Sequence, residues 1–388
     1  MNRSSGVTTA GKAQCLAFYL PQYHPIAEND LWWGAGFTEW RNVTAAKPQF
    51  RGHYQPHVPG ELGYYDLRVP EVRAKQVALA VEAGLDGFVY YHYWFNGRRL
   101  LERPFTEVLE TKEPNFPFCL AWANENWTRR WDGMNNDILM AQEYSPVDDL
   151  DHIRSLRSAL TDDRYLKRCG KPMLLVYRSS KLPNPVATTD LWRAEVQRWG
   201  LPDLYLLRVE GPRSEVGDPR EVGFDGAVQF QPDWKSMNIP VPPMGFRVRR
   251  RLKYFTDRYS HRVVHYDDLI ELARTGLTRE YRLWPGVTPG FDNSARRKRD
   301  ATIVVGSSPE RYEGWLRYAL ECSSLVAGDV ADGGGGLVFI NAWNEWAEGN
   351  HLEPDARYGK GFIKATRSAM DRYRSSWAPD DRERVHVA

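Results

Sequence analysis

Short apolar segments alternate with amphipathic segments along most of the chain, and this alternation limits the folds open to it. The apolar segments are rich in β-branched and aromatic residues, which favour strands, whereas the segments between them repeat their apolar residues with helical period. Such alternation is typical of βα units around a parallel sheet. The predicted strands are residues 15–20, 87–93, 116–123, 172–177, 204–209, 226–230, 283–288 and 337–341, and the predicted helices are residues 69–83, 104–111, 147–160, 189–199, 267–275 and 309–325.

Eight strands of this kind fit a sheet that closes on itself. Nearly continuous apolar strands need cover on both faces, which helices supply outside a barrel and the strands' own side chains supply inside it. A doubly wound sheet would carry a glycine-rich fingerprint after an early strand, and the sequence has none. We therefore expect an α/β chain folded as a single (β/α)8 TIM barrel with elaborated βα loops.

No internal repeat or linker-like tract divides the 388 residues into separate domains. One barrel with loop insertions accounts for this length. We expect an N-terminal tail at residues 1–14, a (β/α)8 catalytic domain at residues 15–375 and a C-terminal tail at residues 376–388.

The charge balance argues against a polyanionic partner. The chain has 52 basic and 50 acidic residues, a net charge of +2, so no overall field attracts nucleic acid. Two basic clusters, residues 247–251 and 296–299, could bind phosphate, but such charge runs are typical of solvated faces, which is the favoured interpretation. No segment approaches the roughly 18 apolar residues that span a bilayer. With no signal sequence evident, we expect a cytoplasmic protein without an integral membrane segment, and the oligomeric state is left open.

The aromatic content points to a flat, polar ligand. The chain has 15 tryptophans and 20 tyrosines, more than a core of this size normally uses. Sugars stack their C–H faces on aromatic rings, whose polar edges still bond hydroxyl groups. The alternative is a core that is simply rich in tryptophan.

Polar and aromatic residues follow several predicted strands, at the end of a barrel where ligand sites lie. Amides, carboxylates and indoles are costly to bury there unless they are hydrogen-bonded, so their convergence indicates a site for an oligo- or polysaccharide. The candidate substrate-binding residues are Tyr23, His24, Trp40, Tyr91, His92, Trp122, Asn124, Glu125, Trp127, Asp292, Asn293 and Trp343.

Glu345 and Glu348 are the candidate catalytic residues, three positions apart just after the last predicted strand. Glycoside cleavage needs one group to protonate the leaving oxygen and a second carboxylate to support the cationic sugar. Nearby Trp343 and Trp346 would reduce solvation and raise one carboxyl pKa. Neighbours on one short turn can hardly flank a sugar from opposite sides, so the 2-hydroxyl of the sugar, activated by the first carboxylate, could act as internal nucleophile.

Two other chemical assignments stay open at this point. Glu125, after the third strand, could pair with Glu345 across the cleft, since carboxylates from separate strands can face each other. Metal catalysis is the second, because His24, His92 and His351 could meet at one end of the barrel. The sequence has no HExxH segment, and hydroxyl recognition or packing is the favoured role of these histidines, so we expect neither a metal nor a cofactor.

Four motifs give the chain a resemblance to the WbsX-type, glycoside hydrolase family 99-like group of bacterial polysaccharide gene clusters. Together they are spread over most of the sequence. They are FYLPQYHPIAENDLWWGAGFTEWRNV (18–43), FPFCLAWANENWTRRWDG (116–133), TPGFDNSARR (288–297) and FINAWNEWAEGNHLEPD (339–355).

The resemblance implies a metal-free (β/α)8 enzyme related to endo-α-mannosidases, which retain configuration through a 1,2-anhydro sugar. It implies that Glu345 deprotonates the 2-hydroxyl and that Glu348 serves as acid and then as base. The expected activity is a retaining, endo-acting glycoside hydrolase for α-linked mannose-like or deoxysugar units of a bacterial surface polysaccharide. The alternatives are a glycosyltransferase or transglycosylase of O-antigen biosynthesis, and a glycan-binding protein without activity.

Overall fold

A computed structural model describes residues 12–128, 138–211, 215, 217–233, 261–277, 280–297, 299–327 and 335–376. Most of the predicted tails, 1–14 and 376–388, and all of the basic cluster 247–251 lie outside these ranges. Eight strands form the barrel. They are β1 Gln14–Tyr19, β2 Gly87–Phe95, β3 Phe118–Trp122, β4 Lys171–Val176, β5 Tyr205–Glu210, β6 Gly226–Gln229, β7 with its two halves Leu283–Trp284 and Gly286–Val287, and β8 Leu337–Ile340.

The strands are paired in parallel in chain order, with β8 beside β1, so the (β/α)8 prediction is confirmed. The sheet closes through β7, which is split at Pro285. Its first half pairs with β6 and its second half with β8. A Cβ atom at Gly286 would lie 1.8 Å from the carbonyl oxygen of Gln229, so only glycine allows β6 and β7 to approach this closely.

Helices pack around the outside of the barrel, and two short ones lie in the loop after β1. Those described are α1 Ala27–Trp33, α2 Trp40–Ala45, α3 Pro70–Ala83, α4 Arg103–Thr111, α5 Pro146–Ser155, α6 Arg157–Leu160, α7 Pro185–Arg198, α8 Tyr266–Thr275, α9 Pro309–Ala327 and α10 Gly361–Ser376. None of these helices combines the length and the hydropathy that crossing a membrane requires.

The helices differ from the predictions in four places. α7 begins at Pro185, four residues before the predicted start at residue 189. The predicted helix 147–160 is two helices, α5 and α6, which meet at Leu156. Two short helices, α1 and α2, lie in the long loop after β1, where no helix was predicted. The unpredicted α10 packs beside α9, where Tyr312 Oη lies 3.2 Å from Thr366 Oγ1.

Local signals explain why α5 and α7 begin where they do. Ser145 accepts a hydrogen bond from the backbone N–H of Asp148 at 3.1 Å, and Asn184 accepts one from Ala187 at 3.1 Å. A proline fills the first position of both helices, where its missing N–H costs nothing. These local signals therefore fix the first residue of each helix.

The barrel interior is filled by aromatic rings near its C-terminal end. Phe18 of β1 stacks on Tyr91 at a centroid distance of 5.5 Å and meets Phe230 edge-on at 5.3 Å. Such offset and edge contacts are favourable for aromatic pairs. This layer closes the barrel below and forms the floor on which the candidate site rests.

Candidate active site

A tight turn after β8 carries Glu345 and Glu348. Asn344–Glu345 pairs antiparallel with Asn350–His351, and Trp346–Glu348 forms a single 3₁₀ turn between them. The turn ends at Gly349, whose φ of 55° is in the left-handed region that favours glycine. A Cβ atom there would lie 3.0 Å from Asp292 and 3.1 Å from His57, so glycine also makes room for the loops behind the turn.

Buried hydrogen bonds hold this turn to the first strand. The side chain of Asn344 bonds both backbone groups of Leu20, accepting from its N–H at 2.7 Å and donating to its carbonyl at 3.0 Å. The backbone N–H of Trp346 donates to Tyr23 Oη at 3.1 Å. Supporting contacts of this kind fix catalytic carboxylates to within fractions of an ångström.

Glu353 supports the turn from below. It is buried, and its carboxylate accepts hydrogen bonds from Trp346 Nε1 at 2.6 Å, Gln76 Nε2 at 2.6 Å and Tyr65 Oη at 2.8 Å. Burial raises the pKa of Glu353 to about 7, while these hydrogen bonds oppose the rise. The indole of Trp346 also stacks on His351 at 3.7 Å between centroids, so it is held by an edge and a face.

Arg296 joins three carboxylates at the site. Its Nε donates to Glu39 Oε1 at 3.0 Å, its Nη1 donates to Glu348 Oε1, and its Nη2 lies 3.4 Å from Glu345 Oε2. The side chain is only 13% exposed. Burial lowers the pKa of Arg296, but the neighbouring carboxyl groups, Glu39 first, outweigh it and hold that pKa well above the usual range, so the guanidinium is always charged.

The two candidate catalytic carboxylates differ in burial. The side chain of Glu345 is 9% exposed and that of Glu348 is 24% exposed. Burial, followed by the charge of Glu348, raises the pKa of Glu345 to about 8, against the lowering effect of Arg296. Two nearby carboxylates cannot both ionise without cost, so a proton is retained at the pair near neutral pH.

Both glutamates line a cavity of about 310 Å³ at the C-terminal end of the barrel. This size suits a small-molecule ligand or one unit of a larger one. We call it the catalytic cavity. Its lining residues are Leu20, Gln22, Tyr91, Tyr93, Ala123, Glu125, Asn126, Trp127, Tyr177, Phe230, Pro232, Phe291, Arg296, Glu345 and Glu348.

Five of the residues predicted from the sequence thus meet in one place: Tyr91, Glu125, Trp127, Glu345 and Glu348. Glu125 is paired with Arg178. Because Glu125 and Glu345 line the same cavity, the pairing of these two carboxylates across the cleft stays open on geometry alone.

His92 and Trp122 were predicted to contact substrate, but both side chains lie on the outer face of the barrel. His92 Nε2 is 3.0 Å from His152 Nε2 on α5, and Trp122 packs on the same histidine at 4.4 Å. Side chains alternate along a strand, so Tyr91 and Tyr93 face the cavity while His92 between them faces a helix. Burial lowers the pKa of His92 to about 3, which keeps it neutral.

Tyr23, Trp40 and Trp343 form part of the packing behind the catalytic cavity. The tilted rings of Tyr23 and Trp40 contact each other at 4.4 Å between centroids, and Trp40 Nε1 donates to the carbonyl of Tyr65 at 2.7 Å. Trp343 is fully buried against Phe88 at 5.2 Å. Their predicted role in lining the sugar site does not match these positions.

Four more predicted binding residues also lie outside the catalytic cavity. His24 is 1% exposed, and burial lowers its pKa to about 4. Asn124 bonds the backbone of Arg178 on both sides, and Asn293 accepts from the N–H of Thr302 at 2.9 Å. Asp292 accepts from Gln55 at 2.6 Å and pairs with a histidine.

That histidine is His53, whose Nε2 lies 2.7 Å from Asp292 Oδ2, and it belongs to a separate cluster behind the turn. His57 Nδ1 lies 2.9 Å from His351 Nε2 in the same cluster. Within the described ranges, no three His, Cys, Asp or Glu side chains are arranged to hold a metal ion.

Sequence reasoning missed Arg296 and Glu39. Arg296 had been assigned with its neighbours to a solvated basic face, which is wrong for this residue because three carboxylates surround it. Glu39 had no signal beyond its place in the first of the four motifs. The two residues are 257 positions apart, so only the fold brings them together.

Comparison with known proteins supports the resemblance inferred from the motifs. The family model described as Glycosyltransferase WbsX matches residues 15–366. Two relatives from strains of Xanthomonas campestris pv. campestris, both described as Uncharacterized protein WxcX, are 45% and 44% identical over 95% and 97% of this chain. The chain spans about half the length of these relatives, 50% and 52%.

Solved structures agree on the fold. The GH99 endo-alpha-mannosidase from Bacteroides thetaiotaomicron has a TM-score of 0.56 at 16% identity, covering 94% of this chain and 98% of its own. A structure described as Glycoside hydrolase-like protein has a TM-score of 0.55 at 13% identity, covering 93% and 94%. The prediction of the family is confirmed, and the chain belongs to the WbsX family.

Proposed function

We propose that this protein is a retaining glycoside hydrolase that cleaves α-linked mannose-like or deoxysugar units within a bacterial surface polysaccharide. The observation that carries the proposal is the placement of Glu345 and Glu348 on one turn, in one cavity, bonded by one guanidinium. Tyrosine and tryptophan side chains around them suit the faces and hydroxyl groups of a sugar. The endo-alpha-mannosidase named above, which shares the fold, makes the α-manno configuration the first to test.

The proposed reaction uses the sugar's own 2-hydroxyl. A direct displacement places nucleophile and acid on opposite sides of the anomeric carbon, about 5–5.5 Å apart. Glu345 and Glu348 instead share Arg296, which favours a position along the same side of the sugar. Glu345 takes the proton of the 2-hydroxyl, O2 bonds to C1, and Glu348 protonates the departing oxygen as its bond to C1 breaks.

The second step reverses these roles with water. Glu348, now ionised, removes a proton from water as the water oxygen bonds to C1 and the bond from O2 to C1 breaks. Glu345 returns its proton to O2. Two inversions at C1 give net retention of configuration, and the enzyme regains its starting protonation state.

The electrostatics of the pair suit this exchange. Repulsion from Glu348 is one cause of the raised pKa of Glu345, so a proton on Glu348 favours ionised Glu345. The first step uses the form with the proton on Glu348. An ionised carboxylate with a raised pKa is also the stronger base, which helps it take a proton from a weakly acidic hydroxyl.

A second candidate function is transfer to a sugar acceptor in polysaccharide biosynthesis. The observation that favours it is the description of the matching family model as a glycosyltransferase. The same two carboxylates would form the same 1,2-anhydro sugar, and a hydroxyl of an acceptor glycan would replace water in the second step.

The test is incubation of the protein with α-linked manno- and rhamno-oligosaccharides and with bacterial polysaccharides, with products read by mass spectrometry. Glu345→Gln and Glu348→Gln should each abolish cleavage in a protein that still unfolds cooperatively, whereas Glu125→Gln should retain the chemistry. Retained activity in both of the first two variants would reject the assignment. Loss of activity only in Glu125→Gln and Glu345→Gln would favour the pair across the cleft.

Two further experiments test the role of the 2-hydroxyl and distinguish hydrolysis from transfer. A substrate lacking the 2-hydroxyl should not turn over, because it has no internal nucleophile. Longer products that appear only when donor and acceptor glycans are mixed, without free reducing sugar, would favour the transferase function over the hydrolase function.

A further inference from the structure

One loop of the protein holds Glu348 at two points. This loop follows β7 and comprises residues 288–297, and we call it the Arg296 loop. Within it, the backbone N–H of Asp292 donates to the carbonyl oxygen of Glu348 at 2.5 Å. Four residues later, the guanidinium of Arg296 donates to the carboxylate of Glu348. The Arg296 loop therefore fixes both the backbone and the side chain of the residue proposed as acid and base.

The side chain of Asp292 caps the short turn that leads to Arg296. Asn293–Ala295 form a single 3₁₀ turn, and Asp292 Oδ1 accepts from the backbone N–H of Ser294 at 2.9 Å. The backbone N–H of Arg296 then donates to the carbonyl of Asn293 at 3.1 Å. An aspartate that bonds the backbone two residues further on replaces a backbone turn bond and sets the path of the chain. The direction in which Arg296 leaves the loop therefore depends on Asp292.

Two donors from a separate segment hold the other carboxylate oxygen of Asp292. His53 Nε2 and Gln55 Nε2 lie 2.7 and 2.6 Å from Asp292 Oδ2. The backbone N–H of Gln49 donates to His53 Nδ1 at 2.9 Å, so the neutral ring carries its proton on Nε2 and donates it to Asp292. Burial raises the pKa of Asp292, but the hydrogen bonds from His53 and Ser294 outweigh it and hold that pKa below the ordinary value. The carboxylate is therefore ionised and accepts from both segments.

Asp292 and His53 lie behind the catalytic residues. Their side chains are 6% and 3% exposed, and both line a separate cavity of about 120 Å³ behind the turn. Arg296, Glu345 and Glu348 line the catalytic cavity instead. Any effect of Asp292 and His53 on the reaction therefore acts through the Arg296 loop, by way of the guanidinium and the backbone bond to Glu348.

We propose that Asp292 and His53 are positioning residues, which aim the guanidinium of Arg296 at the two catalytic carboxylates and fix the backbone of Glu348. This inference rests on the proposed function, since that reaction exchanges one proton between Glu345 and Glu348. Coulomb attraction falls with distance, so a charge assists the reaction only where it is held in place beforehand. A displacement of about 1 Å can cost about 100-fold in rate.

The kinetic test is Asp292→Asn, which keeps the size of the side chain but gives it one donor end. The new NH₂ would face the N–H of His53 or that of Ser294, and neither can accept a hydrogen bond. We expect kcat on the oligosaccharide that the wild type cleaves to fall about 10–100-fold with little change in KM, because the contacts to substrate are kept.

A second substitution should reverse this loss. In Asp292→Asn with His53→Gln, the glutamine amide can turn its oxygen toward the new NH₂, so most of the lost kcat should return. Arg297→Gln is the matched control, because Arg297 is the next residue of the Arg296 loop and is outside the lining of the catalytic cavity. This variant should keep the wild-type kcat.

A second measurement does not depend on activity. Burial and the charges of Glu348 and Glu39 raise the pKa of Glu345, and Arg296 lowers it. A displaced guanidinium in Asp292→Asn should therefore raise the pKa of Glu345 by about one unit, and His53→Gln should reverse the rise. A ¹³C NMR titration of the glutamate carboxyl carbons measures this pKa, with the resonance of Glu345 assigned from its absence in Glu345→Gln.

Unchanged kcat and an unchanged pKa of Glu345 in Asp292→Asn would overturn the inference. A fall in kcat with an unchanged pKa would also overturn it, because the loss would then not act through Arg296. If the wild type cleaves no probe, the proposed hydrolase function fails, whereas a pKa of Glu345 that rises in Asp292→Asn and returns in the double variant still supports the positioning role.

Discussion

Replacing Arg296 by methionine should destabilise the protein strongly, because it leaves buried carboxylates without their partner. Glu39 is 2% exposed and Glu345 is 9% exposed at the side chain, and both face the guanidinium. Removing one partner of a buried ion pair costs about 3–5 kcal/mol. At about 2.1 cal/mol/K of unfolding entropy per residue, this predicts a fall in Tm of about 4–6 °C for a chain of this size.

The loss of thermal stability in Arg296→Met should increase with pH. Arg296 lowers the pKa of Glu345, so in Arg296→Met that pKa rises still further above the value of an unfolded glutamate, about 4.3. Well below the wild-type pKa of about 8, Glu345 keeps its proton in both folded proteins, so its cost is the same in both. The part of the Tm deficit that comes from Glu345 should therefore be small at pH 5 and should grow as pH rises through about 8, where the wild type ionises this group and the variant does not.

Thermal unfolding by calorimetry at the two pH values measures both effects. Arg299→Met is the control, since Arg299 is exposed on the same basic run and its replacement should change stability by less than about 0.5 kcal/mol. Adding Glu39→Gln to Arg296→Met should recover part of the loss by removing one unpaired charge. Equal Tm values for the two arginine variants, or a loss independent of pH, would refute the reasoning.

Three other substitutions test separate parts of the structure. Glu353→Gln should cost about 1–3 kcal/mol in urea unfolding, because the new amide nitrogen cannot accept from the donors that surround it; an unchanged midpoint would contradict this role. Glu39→Gln should move the acidic limb of the kcat/KM profile to lower pH, since Glu39 helps to raise the pKa of Glu345, and an upward move would argue against it. Gly286→Ala should destabilise by at least about 2 kcal/mol through its clash with Gln229, whereas Gly314→Ala in α9, with open space around it, should stabilise by up to about 1 kcal/mol; similar effects would reject the clash.

The barrel could be predicted because its signals are local. Each strand is a short apolar run and each helix repeats its apolar residues every three to four positions, so order and type follow from windows of a few residues. The predicted strand 283–288 contains Pro285 and Gly286, a pair that marks a break in a strand. The partners of its two halves could not be predicted in this way, because the pairing of one half with β6 and of the other with β8 is decided by the fold.

The candidate site was only partly predictable for the same reason. The end of a strand can be read from the sequence, which located Glu345, Glu348, Glu125 and Trp127 near one end of the barrel. The sequence did not show on which face of its strand each side chain lies. Strand β2 is buried on both faces, so its pattern does not distinguish Tyr91 from His92. The prediction therefore included residues that pack against helices.

The sequence by itself determined that this chain forms βα units, that they number eight, and that two glutamates follow the last strand, because these properties depend on neighbours along the chain. Tertiary structure alone decided that Arg296 and Glu39 join those glutamates, and that His53 holds Asp292 behind them. The contacts between these residues link segments far apart in sequence. Their energies arise from burial and Coulomb attraction in the folded state, which no local pattern encodes.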